Sequence, residues 1–431
     1  MQIYLVGGAV RDRLLGRPVT EKDYVVVGAT PQQMLDLGYT QVGRDFPVFL
    51  HPHTKQEYAL ARTQRGLGLD GSVHADPSVS LEEDLARRDL TINAMAMTED
   101  GELIDPFGGQ ADLQQRLLRH VSGAFSEDPI RVLRLARFMA RYAELGFAVA
   151  DETLDLIREI ADTGQLDGLV PERVWQELVR VLEEDDPRPF FECLRQTGAL
   201  ARLLPEIAGL YGVPQPARWH PEIDCGVHTL MALKVACELS DSTEVRFATL
   251  THDLGKAVTP ERILPSHHGH ESRGERLVKS LCRRLKAPAR YRELATACAL
   301  YHGFTHRLYE LRAKTVVKLL SGLDAFRRPE RLEQFLLVCE ADYRGRQGFH
   351  QCPYPQADDL RALYQAAKAA VLPSEENEAE GWLRGEAIRR ARVRQVSDVM
   401  DRLKARSEST GEAVEDTETG HIGTDGGAEG T

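Results

Sequence analysis

The first hundred residues alternate short apolar runs with polar, glycine-rich breaks. IYLVGG (3–8) reads as a buried strand ending at a glycine pair, and VRDRLLG (10–16) as a short helix. YVVV (24–27), PVFL (47–50) and EYALAR (57–62) are further runs of strand length. Residues 64–80 hold glycine, serine and aspartate without a period, the signature of a mobile loop. From about residue 111 the apolar spacing turns helical and stays so to about 406. Strands first and helices only afterwards predict an α+β fold, a mixed-sheet head on an all-helical body. Proline and glycine breaks near 165–171, 212–221 and 353–355 are the boundary candidates. The expected division is a head over 1–140, a helical neck or body over 141–222, a third unit over 223–330, a helical tail over 331–406 and a disordered acidic end over 407–431.

Composition narrows the class. The chain has 431 residues, 42% hydrophobic and 28% charged, the make-up of a soluble globular protein of about three domains. Collagen-like, disulfide-scaffold and mainly disordered chains are excluded. No apolar run is long enough for a membrane span, and MQIYLVGGAVRDRLLG lacks the basic and apolar regions of a secretory leader. Seven scattered cysteines without a CxxC pair are expected to be reduced thiols in the cytoplasm. The net charge of −12 argues against a nucleic-acid partner until its distribution is read. Residues 407–431 carry 7 acids and no Lys or Arg, which leaves 54 basic against 59 acidic residues in 1–406. Basic islands lie at 276–292 and 384–406; they are candidate contacts for RNA phosphates, or solvated helix faces.

Chemistry-bearing residues gather in four places. Gly7 and Gly8 close a strand and open a helix, a turn that aims backbone N–H groups at a phosphate. Arg11, one turn on, could reach the same oxygens; a plain tight turn is the competing reading. Glu21 and Asp23 precede YVVV, and residues i and i+2 of a strand share a face. Two such carboxylates suit an oxygen-ligated Mg²⁺, or are merely a solvated strand entry. Glu57, before YALAR, is a third carboxylate on a later strand. In LARRDLTINAMAM, Arg87 and Arg88 precede Asp89, a helix cap or an arginine partner, and an apolar run expected to be helical up to and past Asn93. Ser126-Glu-Asp-Pro predicts a helix start with Ser126 as N-cap. At ~100° per residue, Arg131, Arg134, Arg137 and Arg141 fall within an arc of about 120°. Bare periodicity favours a solvated amphipathic helix; against that, with no acid at the intervening turns, the four arginines repel one another without an anion. Asp128 accepts and Arg131 donates, so the two together could read a base edge. Last, His228 and the pair His252-Asp253, with His267, His268, His270, His302 and His306, are a metal-hydrolase pattern suited to a transition metal with an open water position.

LVGGAVRDRLLG, E-x-D, RRDLTINA, DPFGG and EDPIRVLRLARF, in this order and spacing, closely resemble the class II tRNA nucleotidyltransferases. Within them the match is to bacterial multifunctional CCA-adding enzymes with a C-terminal HD domain, and it extends to about residue 395. The resemblance implies a nucleotidyltransferase palm followed by neck, body and tail, with the HD domain over 223–330. It implies that Gly8, Arg11, Arg88, Arg134 and Arg137 bind CTP or ATP. Glu21 and Asp23 match the catalytic Mg²⁺ carboxylates, and Glu57 is the further catalytic candidate. Asp128 and Arg131 match the pair that selects C and A. The implied partner is the tRNA 3′ end, with no membrane, for a monomer or homodimer. Position 21 is Glu where the family has Asp, so a slightly displaced metal with retained activity is expected.

His228, His252, Asp253 and His302 resemble the metal set of the HD phosphohydrolases, linked in the matching enzymes to phosphatase, 2′-nucleotidase and 2′,3′-cyclic phosphodiesterase activities, with Ni²⁺ or another transition metal. Gly303 follows His302 where the resemblance implies Asp. With one acidic group missing, weak or absent cyclic-phosphate hydrolysis is expected. The competing functions are a poly(A) polymerase of the same superfamily, an HD-type phosphohydrolase with a nucleotide-binding head, and a non-enzymatic RNA-binding protein.

Overall fold

A computed structural model describes residues 1–42, 48–62, 77–372 and 381–410. The loop expected over 64–80 and the acidic end therefore lie mostly outside the described residues. Seven strands form the head sheet: β1 (Gln2–Val6), β2 (Asp23–Val27), β3 (Thr40–Val42), β4 (Val48–Leu50), β5 (Glu57–Leu60), β6 (Ala96–Met97) and β7 (Leu103–Ile104). Their order is β3-β4-β5-β2-β1-β6-β7. β2 and β5 run parallel and every other pair antiparallel, so the sheet is mixed, as expected of a nucleotidyltransferase palm. The parallel ladder sets Asp23 opposite Glu57 and Val25 opposite Ala59. Alternation along β2 sends Val25 to one face, against Val6, Leu85 and Ala96, and Val26 to the other, against Phe49, Leu60 and Met34.

β1 ends at Gly7, whose φ of +67° favours glycine and whose absent Cβ would lie 2.8 Å from Arg88 Nη1. The helix Gly8–Leu14 starts there. The run after Asp89 is not the expected helix. It makes one 3₁₀ turn, Thr91–Asn93, and then enters β6. Leu90, Ile92, Ala94, Met95 and Ala96 are all fully buried. A run buried on every side has no helical face to display, and periodicity cannot separate it from a strand.

From residue 111 onward the body is helical, apart from a short parallel pair, Leu117–Leu118 with Ala148–Val149. The arginine helix spans Ile130–Arg141. Ser126 is not its N-cap; it lies in a preceding 3₁₀ turn, Gly123–Glu127, and its Oγ donates to Gly123 O at 2.8 Å. Pro129 stands at the helix start, where its missing N–H is not needed. The apolar face packs on Pro171–Leu182, the neck helix, and on Arg188–Gln196. One continuous core runs from Val10 in the head to Met400 near the end of the body. Cys225–Leu239, Thr243–Thr251, His270–Arg284, Ala289–His306 and Glu330–Arg344 are the helices around the histidine cluster. Gly255, in the 3₁₀ turn Leu254–Val258, lets that turn touch the helix His270–Arg284, since a Cβ there would fall 1.9 Å from His270 O. The last helix, Gly381–Thr410, runs past residue 406, so the helical body ends later than the composition shift implies.

The neck is fastened to the head by a buried ion pair, Arg137 Nε to Glu177 Oε2 at 2.9 Å, with side chains 10% and 6% exposed. Removing one partner strands the other charge. Glu177→Ala is expected to destabilise the protein by about 3–5 kcal/mol in urea denaturation, while Arg137→Met with Glu177→Leu recovers most of that loss.

Candidate active sites

The head cleft has a volume of about 330 Å³ and lies between the β2–β5 face and the arginine helix. Gly8, Arg11, Asp23, Arg88, Arg131 and Arg134 all line it. Arg11 is buried; its Nη1 donates to Asn93 Oδ1 at 2.5 Å, its Nε donates to Asp12 Oδ1 at 2.9 Å, and its guanidinium stacks 5.0 Å from the Phe138 ring centre. Asp89 is not a helix cap. It accepts from Leu90 N at 2.9 Å, Asn93 Nδ2 at 3.0 Å and Arg134 Nε at 2.8 Å. Burial alone would raise its pKa, but the Arg134 charge and these hydrogen bonds outweigh it and hold the carboxyl well below the usual range.

The arginine row does not depend on an external anion. Arg134 is paired with Asp89 and Arg137 with Glu177, acids from distant parts of the chain. Arg131 donates to Ala124 O at 2.8 Å and to Arg87 O at 2.5 Å. Asp128 is held by both terminal nitrogens of Arg173, at 3.1 and 2.9 Å, from the neck helix. Sequence reasoning missed Arg173 and Glu177, which carry no local signal beyond an amphipathic helix. Arg137 sits with Glu177 and does not line the cleft.

Asp23 stands at the cleft edge beside Glu57 on the neighbouring strand. Desolvation raises its carboxyl pKa; Arg88 offsets part of this, and the charge of Glu21 adds to it. A cation at this edge would relieve both terms, so the donor set fits Mg²⁺. Among the described residues, no three ligand atoms within 4.8 Å of one another include Glu21, Asp23 or Glu57. The ladder sets Asp23 beside Glu57, while Glu21 lies before β2 and not on the strand face expected of it; the three are not closed around an ion.

The second site is a cavity of about 410 Å³ in the helical body. His228 Nδ1 lies 2.9 Å from Glu222 Oε1, and its Nε2 lies 3.0 Å from Asp342 Oδ1. His252 Nε2 is 3.2 Å from Asp253 Oδ2 and 3.6 Å from Asp342 Oδ1. His302 Nε2 and His270 Nε2 approach Asp253 Oδ1 at 3.5 and 3.6 Å. The expected His228, His252, Asp253 and His302 are thus brought together, and His270 and Asp342 join them. The carboxylate sought at position 303 comes instead from Asp342, on the helix Glu330–Arg344. Gly303 only lines the wall, where a Cβ would approach Glu271 Oε1 at 3.7 Å. The ground for expecting a defective metal site therefore falls away. A buried aspartate inside the apolar run FLLVCEAD was the available signal. His252 Nε2 and Asp253 Oδ1 are buried without a hydrogen-bond partner among the described residues, as ligand atoms for a transition metal would be.

The basic island at 276–292 is partly spent on structure. Arg284 Nη2 pairs with Glu206 at 2.6 Å and Lys286 Nζ with Glu172 at 2.5 Å. In the other island, Arg406 is paired with Asp359 at 2.6 Å and Arg389 with Glu386 at 2.5 Å.

Comparison with known proteins gives the same outline. Residues 3–119 match the family described as the Poly A polymerase head domain, 146–210 the probable RNA and SrmB-binding site of polymerase A, and 226–342 the HD domain. The multifunctional CCA protein of Thioalkalivibrio sulfidiphilus is 62% identical over 403 residues, 93% of this chain and 98% of that one. That of Nitrosococcus oceani is 59% identical over 391 residues, 90% and 95% of the two chains. Among solved structures, the Bacillus stearothermophilus CCA-adding enzyme in complex with CTP aligns with a TM-score of 0.60 at 27% identity, covering 94% of each chain. A CCA-adding enzyme in complex with ATP shares the fold at a TM-score of 0.62 and 18% identity, over 95% of this chain and 90% of that one. A polymerase-type head and an HD cluster in one chain, matched end to end at this identity, mean that the chain belongs to the multifunctional CCA proteins.

Proposed function

We propose that this protein adds C, C and A to the 3′ end of tRNA from CTP and ATP without a nucleic-acid template, and that its HD domain hydrolyses phosphoesters. The observation that carries the first part is the cleft itself: the Gly7–Gly8 turn, Arg11, Arg88 and Arg134 surround a space whose edge holds Asp23 beside Glu57. The backbone turn and the arginines take the triphosphate. The tRNA 3′-hydroxyl attacks the α-phosphorus, a new P–O bond forms, and pyrophosphate leaves. Glu21 and Asp23, with Glu57 beside them, would hold Mg²⁺, which when bound stabilises charge on the attacking and leaving oxygens. The protein's work is positioning and charge compensation. Arg137 acts from beneath, as a positioning residue fixed by Glu177, rather than on the phosphates. Asp128 accepts from the exocyclic amine shared by C and A, and Arg131 donates to the ring acceptor beside it. The division at 140, 222 and 406 remains the proposed domain scheme, and the HD unit is extended beyond 330 to take in Asp342, as the HD match over 226–342 supports.

Support for the HD reading is the carboxylate supplied by Asp342, which completes a His₂Asp₂ set with His228, His252 and Asp253. A transition metal such as Ni²⁺ there would supply an activated water. Among the described residues, no helix is long and apolar enough to cross a membrane.

A tRNA ending just before CCA, given CTP and ATP, is expected to gain a defined C-C-A and stop on a sequencing gel. A long A-tail would identify a poly(A) polymerase instead. Asp23→Ala should abolish incorporation. Glu21→Asp should retain it and Glu21→Ala should lose it; an active Ala variant removes Glu21 from the site. With Ni²⁺ the protein is expected to open 2′,3′-cyclic AMP, the opposite of what Gly303 alone implies. EDTA should stop this reaction, and Asp342→Asn should slow it by about a hundredfold. Turnover that survives both treatments would place the activity elsewhere.

A further inference from the structure

Among the described residues, two donors lining the HD cavity have no acceptor. Gln215 is 2% exposed and Arg346 8% exposed, and both side chains line the cavity with Lys256, His302 and Asp342. Lys256 Nζ donates to Gln215 Oε1 at 2.6 Å and lies 2.8 Å from Asp253 Oδ2. The first contact fixes the amide so that its Nε2 can only donate. Gln215 Nε2 and Arg346 Nε are both buried without a hydrogen-bond partner among the described residues. The Arg346 guanidinium rests 5.4 Å from the centre of the Tyr343 ring, one residue from Asp342. A buried donor left unmatched is costly, and more so when charged. Both residues line the cavity that holds the cluster of metal-ligand type, and their unmatched donors point to an anion there. Trp219 and Pro216 line the same cavity and give it an apolar side.

We propose that Gln215 and Arg346 form the phosphoryl-binding wall of this cavity, and that its ligand is a phosphoryl group carried on ribose, with the sugar or base against Trp219. The proposal rests on reading the cavity as a phosphoester-hydrolysing site, and it assigns that site its recognition residues. In hydrolysis a water oxygen bonds to phosphorus, the P–O bond to one ribose oxygen breaks, and that oxygen leaves with a proton. The phosphoryl oxygens that keep their bonds are the ones held by Gln215 and Arg346. Both residues act on binding more than on the bond that breaks.

The test uses the full chain loaded with Ni²⁺, with CTP incorporation at the head as the folding control. Arg346→Met is expected to raise KM for 2′,3′-cyclic AMP, and to weaken inhibition by inorganic phosphate, by about ten- to a hundredfold. The kcat value and the bound nickel should stay close to those of the parent. Gln215→Leu should move the same two quantities by less, and Arg346→Lys should recover part of the loss. Unchanged KM and phosphate affinity in a folded, nickel-loaded Arg346→Met protein would overturn the proposal. If the parent protein hydrolyses nothing, the phosphoester reading fails, and calorimetric titration with inorganic phosphate still decides: binding lost in Arg346→Met sustains the wall, and no binding to the parent refutes it. An equal Arg346→Met loss on tRNA ending in a 2′,3′-cyclic phosphate supports the same contact. The substrate with the higher kcat/KM then names the source of the phosphoryl group.

Discussion

A run of hydrogen bonds crosses the floor of the head cleft, from Arg11 to Asn93, from Asn93 to Asp89 and from Asp89 to Arg134. It joins the first helix, the turn before β6 and the arginine helix, elements that no local sequence relation connects. Asp89 is its pivot. Being buried, it is tolerable only as a fully satisfied acceptor, and its partners are thereby confined to one geometry. The two guanidiniums at the ends of the run are the cationic walls of the cleft. Their separation is set by the carboxylate between them rather than by whatever binds.

The same economy recurs across the molecule. A row of arginines on one helix repels itself, and three of its four members are met by acceptors from elsewhere: Asp89 for Arg134, Glu177 for Arg137, and backbone carbonyls for Arg131. These contacts bind the helix to the head on one side and to the neck on the other. Most of the positive charge that the sequence displays is therefore already balanced inside the fold. What the cleft offers a triphosphate is the remaining donor capacity of the pocket-facing guanidiniums together with the backbone turn at Gly7 and Gly8.

Much of this was legible beforehand. The strands at 24–27 and 57–60, the glycine turn, Asp23 ahead of YVVV and the His-Asp pair each have a short-range signature, and each lies where its pattern places it; Glu21 falls before β2 instead of sharing its face with Asp23. What escaped had long-range causes. Asp342 lies in a helix without a neighbouring histidine, and only the packing of Glu330–Arg344 against Cys225–Leu239 brings it to His228. Arg173 and Glu177 look like ordinary exposed charges of an amphipathic helix until the arginine helix is laid against them. The segment after Asp89 reads as helix because its apolar run is unbroken, and complete burial removed the periodicity that would have marked it. Ser126 carries every mark of an N-cap, yet Pro129 sets the start of the helix.

Asp23 and Glu57 are neighbours because β2 and β5 pair in parallel, and the rungs of such a ladder are evenly spaced. The connection between them includes β4, which pairs with β5 and sets Leu50 opposite Glu57. The carboxylate spacing is thus set by ladders rather than by the number of residues in the turns, so the turns can vary in length while β2, β4 and β5 keep their register. A slip of one rung, by contrast, would turn a tyrosine into the place of a carboxylate. Chemical precision at the cleft edge is a matter of strand registry, and length variation in this head has a place to accumulate without cost to the chemistry.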